Sequence, residues 1–134
     1  MLLGFMKRFA DFVEDGSKTH TIRAIRKNPP RVGETCHCYT NVRQKSMRLL
    51  GRWPCVKVES ITISEFFNPS IPLAVSINGQ LLSTDEAEAF FHRDGFRDQG
   101  GETYTAIHQA AEFWADRLAG GKGFHGQVIH WRRK

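Results

Sequence analysis

No apolar run in this chain approaches the length that a membrane-spanning helix needs, about 18 residues, so no membrane partner is expected. The opening Met-Leu-Leu-Gly-Phe-Met is too short for a secretory signal, and Lys7-Arg8 stands where a small-residue cleavage site belongs; it reads as a first strand. Cysteine is scarce and odd in number, three residues at Cys36, Cys38 and Cys55, which argues against a disulfide framework and for a reducing cytoplasm. Cys36-His37-Cys38 lacks the Cys-x-x-Cys spacing of a zinc knuckle, and on a strand His37 would point away from the two thiols. Neither a metal nor a cofactor is expected.

Acidic residues are missing from two regions. Residues 1–58 carry twelve Lys/Arg against four Asp/Glu, residues 59–119 three against ten, and residues 120–134 four against none. A fold that brings the first and last segments together makes one strongly basic face, which suits phosphates and polyanions, although a pI near 9.4 also serves solubility. The length of 134 residues and an apolar fraction of 40% fit one globular domain spanning 1–134.

The richest stretch is Gly16-Ser-Lys-Thr-His-Thr-Ile-Arg23. Before it, Phe9, Phe12 and Val13 have the spacing of a short amphipathic helix, which Gly16 would stop. After it, Thr19 to Ile25 reads as a strand with Thr21 and Arg23 on one face and His20 and Ile22 on the other. Lys18, Thr21 and Arg23 thus come within reach of one point. The same residues have a plainer reading: a lysine complementing a helix C-terminus, an ordinary strand threonine and a solvated edge arginine.

Gly16, Lys18, Thr21 and Arg23 fit the pattern Gly-x-Lys-x-x-Thr-x-Arg, and in this the chain resembles the ASCH family of the PUA-like superfamily. Val32-Gly33-Glu34 before a strand, a long strand from Cys55 to Ile63, Asp94-Gly95-Phe96 between two helices and a closing strand ending at Trp131 extend the resemblance over nearly the whole chain. It implies an α+β fold, a PUA-like mostly antiparallel β-barrel of about six or seven strands with two or three helices. It also implies RNA or a modified nucleoside as ligand, and amide hydrolysis on N4-acetylcytidine through a lysine, a threonine and a carboxylate. Lys18 and Thr21 match the first two. Asp94 falls where the family has a glutamate, one methylene longer.

In that scheme Lys18, its pKa lowered by burial or by Arg23, takes the proton of Thr21; Asp94, its pKa raised, gives one to the leaving amine. Arg23, Arg26 and Lys27 would grip phosphate, and Tyr39, Trp53 or Trp131 would stack a base. A ribonuclease using the same basic cleft, or a non-catalytic RNA- or partner-binding module, uses the same residues. The six histidines, His20, His37, His92, His108, His125 and His130, are scattered and read as surface or packing residues; His20 is the exception, since it interrupts the signature, although alternation directs it away from Thr21.

The remaining signals are local. Val56, Val58, Ile61 and Ile63 break alternation, which predicts a bulge near Glu59-Ser60. Ile71 to Ile77 and Gln80 to Leu82 flank Asn78-Gly79, a hairpin within an insertion over 68–82. Ser83 with Glu86 is a capping box opening a helix that buries Ala87, Phe90 and Phe91. A second helix is expected from about Glu102 to Leu118, with Ile107, Ala110, Ala111, Trp114 and Leu118 as its core stripe.

Overall fold

A computed structural model describes residues 1–68, 71–97 and 106–133. In chain order the elements are β1 (Leu2–Phe5), α1 (Lys7–Asp15), β2 (His20–Ala24), β3 (Thr35–Thr40), β4 (Arg48–Asn68), β5 (Ile71–Ile77), β6 (Gln80–Leu81), α2 (Thr84–Asp94), α3 (Ala106–Leu118) and β7 (Phe124–Trp131). This is an α+β fold, a seven-stranded mixed sheet with three helices. The expected start of the last helix near Glu102 and residues 69–70 of the insertion lie outside the described residues.

The long strand β4 organises the sheet. Arg48 to Pro54 pairs with β3, Cys55 to Ile63 with β7, and Ile61 to Asn68 with β5, all antiparallel. β7 also carries β2, and β1 pairs parallel to β3. Because β7 lies between β2 and β4, the basic C-terminal segment joins the basic first part of the chain. The expected bulge at Glu59-Ser60 is not there: those residues pair in register with Val128 and Gln127. The irregularity sits at Val56 instead, between the pairs Cys55–Trp131 and Lys57–His130, so the extra residue is absorbed where the β3 and β7 ladders meet.

Among the described residues no backbone ladder joins β1 to β2, and the sheet is not closed into a barrel. Arginine side chains occupy that gap. Arg23 Nη2 donates to Gly4 O at 2.6 Å, and Arg26 Nη2 donates to Leu2 O at 3.2 Å. Two carbonyls of β1 are thereby satisfied by guanidinium rather than by a strand.

Local chemistry explains the helices. Gly16, with φ 90°, ends α1 in the left-handed region, and its N–H donates to Val13 O at 3.3 Å. Ser83 and Glu86 form the expected reciprocal cap on α2, whose inner side buries Ala87, Phe90 and Phe91. Gly95, at φ 113°, ends α2; a Cβ there would stand 2.6 Å from the Phe9 ring, so only glycine lets α1 approach this corner. Glu88 of α2 accepts from the N–H groups of Ala106 and Ile107, supplying partners for the exposed donors at the start of α3. The Asn78-Gly79 turn forms with both residues at positive φ, 51° and 82°. The core stripe of α3 is buried as expected, Ala111 excepted, which is half-buried.

Candidate functional site

Lys18 follows the helix-ending glycine and is drawn inward, where its side chain is 3% exposed. Its Nζ donates to Asp94 Oδ1 and to Asp94 O, each at 2.6 Å. The second bond matters because Asp94 closes α2, where carbonyls have no helical partner and the dipole is negative. One ammonium therefore satisfies a carboxylate and a helix terminus together. Arg97 fixes the turn before Lys18 from the other side, donating to Ser17 Oγ at 2.9 Å and Ser17 O at 3.1 Å.

Thr21 and Arg23 share a face of β2, as alternation requires. Arg23 Nε donates to Thr21 Oγ1 at 3.1 Å, and the guanidinium lies 5.0 Å from the centre of the Phe5 ring. Lys18 Nζ sits 5.3 Å from the centre of the Phe9 ring. These groups line a cavity of about 290 Å³ with Met6, Ile22, Phe96, Phe113, Trp114 and Arg117. Phe5, Phe9, Phe96, Phe113 and Trp114 are its aromatic lining, and Lys18, Thr21, Arg23, Asp94 and Arg117 its polar groups. Aromatic walls with a few charged groups are the usual make-up of a small-molecule pocket.

The electrostatics follow from burial. Removal from water pushes the Lys18 ammonium below its usual range, Asp94 pulling the other way and Arg23 adding a smaller push down. Burial alone would raise the Asp94 carboxyl, but the Lys18 charge and the His20 contact outweigh it and hold the group below the ordinary carboxylate range. A proton-donating Asp94 requires the opposite shift, so in the resting site Asp94 is an ionised acceptor. Arg23 is brought down to about 10, first by burial and then by the nearby Arg26.

The structure thus brings Lys18, Thr21, Arg23 and Asp94 to one cavity, and leaves Arg26, Lys27 and Tyr39 off its walls. Arg26 is half-buried against β1, Lys27 is exposed, and Tyr39 is half-buried on β3 opposite Leu49. Trp53 and Trp131 stack on each other, with centroids 6.4 Å apart and planes 12° from parallel. Cys36, Cys38 and Cys55 are all buried; desolvation raises the first two thiols to about 12, which leaves them unreactive at neutral pH.

Two histidines and a glutamate lie near this cavity, His20 among them. His20 is 3% exposed, stacked on Phe90 at 4.9 Å, and its Nε2 is 3.2 Å from Asp94 Oδ1. It stands directly opposite His130 across the β2–β7 ladder. His130 Nε2 is 2.6 Å from Glu59 Oε1, a diagonal contact from β7 to β4. These groups, with Lys57, Asn78, Gln80 and Arg93, border a second cavity of about 440 Å³. His20 stands out in the sequence by its place within the signature, but nothing there marks His130 or Glu59, because His20 and His130 stand near opposite ends of the chain and meet only through strand pairing.

Comparison with protein-family models, with curated proteins and with solved structures returned no match for this chain.

Proposed function

We propose that this chain is an ASCH-like protein that holds a modified nucleoside in the cavity beside β2 and hydrolyses an amide on its base, as in N4-acetylcytidine. The observation that carries the reading is a buried lysine and a threonine hydroxyl that line the same small, partly aromatic cavity. Lys18 in its neutral form takes the Thr21 proton, and the Thr21 oxygen adds to the acyl carbon. The Arg23 guanidinium stabilises the oxyanion. The C–N bond then breaks, the amine leaves with the proton from Lys18, and water cleaves the Thr21 ester to release the acid. Asp94 acts in this scheme as the partner that positions Lys18. An open PUA-like sheet, rather than a complete barrel, is the fold we assign to this reading.

The test is hydrolysis of N4-acetylcytidine followed by ultraviolet absorbance. Thr21→Val keeps the side-chain shape and removes the hydroxyl; turnover is expected to fall by at least about 100-fold. An unchanged rate in Thr21→Val would remove the nucleophile assignment, and a wild-type protein without turnover would remove the hydrolase.

A second reading rests on the junction of the two basic segments at β7, where Lys57, Arg132 and Arg133 border a groove of about 610 Å³ next to Gly16 and His130. Here the chain binds RNA phosphates. Its affinity then falls steeply with salt, whereas hydrolysis of a neutral nucleoside is nearly indifferent to it.

A further inference from the structure

We propose that His20 and His130 form a proton path that connects the buried Lys18–Asp94 pair to solvent through the second cavity. The inference rests on the assignment of Lys18 as a base. A lysine paired with an ionised carboxylate is not a base until a proton has left the pair. Its own cavity is where the substrate sits, and the Lys18 and Asp94 side chains are only 3% and 8% exposed. Amide hydrolysis at neutral pH also releases a net proton, since the acid product ionises.

The geometry supplies the exit. His20 Nε2 faces Asp94 Oδ1 at 3.2 Å, yet it has no aligned hydrogen-bond partner among the described residues. A proton that passes from Lys18 Nζ to Asp94 Oδ1 lets the carboxyl donate to Nε2 of the Nδ1–H tautomer, once the His20 ring turns to align with it. His20 takes the proton on Nε2 and releases one from Nδ1. The His130 ring, with its centroid 5.5 Å away, receives it directly or through one water. His130 Nε2 hands a proton to Glu59 Oε1 at 2.6 Å, on the wall of the second cavity. Each transfer moves one proton and leaves the donor ready to be recharged.

The charged groups around the path favour this use. His20 meets Asp94 and Arg93 from α2, Lys18 from the preceding turn and His130 from β7; His130 meets Glu59 and Lys57 from β4. Burial, aided by Lys18 and Arg93 at the first ring and by the other ring and Lys57 at the second, keeps both imidazoles neutral at pH 7, the form that can accept and pass a proton.

The experiment uses the whole protein, labelled with nitrogen-15, and has two readouts. Solvent exchange of the Lys18 ammonium protons, measured by NMR, is expected to slow by about tenfold or more in His20→Phe, which keeps the stacking on Phe90, and in His130→Ala. Imidazole, which fits the space opened in His130→Ala, is expected to restore it. N4-acetylcytidine turnover and its pH profile follow the same order in the same variants. Exchange that matches wild type in a folded variant, or a slowed exchange that imidazole leaves untouched, would overturn the path. Slowed and rescued exchange without any turnover would uphold the path while removing the hydrolase, so the two assignments fail separately. Should His20→Phe not fold, His130→Ala with imidazole decides alone.

Discussion

The two cavities on either side of β2 are built from one wall and do opposite things with it. On the Thr21 side the wall is aromatic and the polar groups are few: Lys18, Thr21, Arg23 and Asp94 converge within about 290 Å³. On the His20 side the space is larger, about 440 Å³, and its lining mixes imidazole, carboxylate, amide and ammonium groups. Asp94 and His20 connect them. Strand alternation, which sends Thr21 one way and His20 the other, is what lets a single strand serve an aromatic-walled pocket and a more polar one. The buried Lys18–Asp94 pair lines the first cavity, and Asp94 meets the second through His20.

Breaking the shared wall is expected to have the largest effect. Asp94→Ala leaves the Lys18 ammonium buried and unpaired, and unfolding in urea is expected to show a loss of about 3–5 kcal/mol. Lys18→Met strands the carboxylate in the same way. The double variant Lys18→Met/Asp94→Leu is expected to recover part of the loss, because no unpaired charge remains. Additive losses would mean that the two groups do not act as a pair.

Acid sharpens the comparison from the second cavity alone. His20 and His130 titrate below the ordinary histidine value of 6.5, burial being the first cause in both. The unfolded chain then binds more protons than the folded one, so the stability these groups contribute is complete above about 6.5 and is lost as pH falls further. Asp94, also held low, adds its own loss only below the ordinary carboxylate value of 3.8. Urea midpoints measured from about pH 7 to about pH 5 are expected to fall, and to fall less in His20→Phe. An identical slope in that variant would place the acid sensitivity elsewhere.

The smallest effect is expected at the rim. Gly79→Ala forces a side chain onto φ 82°, although no atom lies within 4 Å of the new Cβ. The cost is expected to be about 1 kcal/mol, seen as a lower thermal midpoint, with N4-acetylcytidine turnover unchanged. A larger loss would show that the hairpin supports the second cavity rather than merely bordering it.

The boundary between what could be read and what could not follows the range of the signals. Gly16, Asn78-Gly79 and Ser83-x-x-Glu86 act over a few residues, through a positive φ or a local hydrogen bond, and each feature stands where the sequence puts it. The bulge was misplaced because broken alternation marks an irregular strand without saying where two ladders compete for it. Opening of the sheet escaped the sequence because it depends on Arg23 and Arg26 reaching β1 carbonyls.

Sequence alone determined the elements, the faces they bury and the clustering of Lys18, Thr21 and Arg23, since dihedral preference and hydrophobic period are properties of neighbours along the chain. Only the tertiary structure decided that Asp94 meets Lys18, that its carboxyl is held low instead of raised, and that His20, His130 and Glu59 stand behind it. Those outcomes depend on strand register and on the balance between desolvation and a charge a few ångströms away, and neither is encoded in any short stretch of residues.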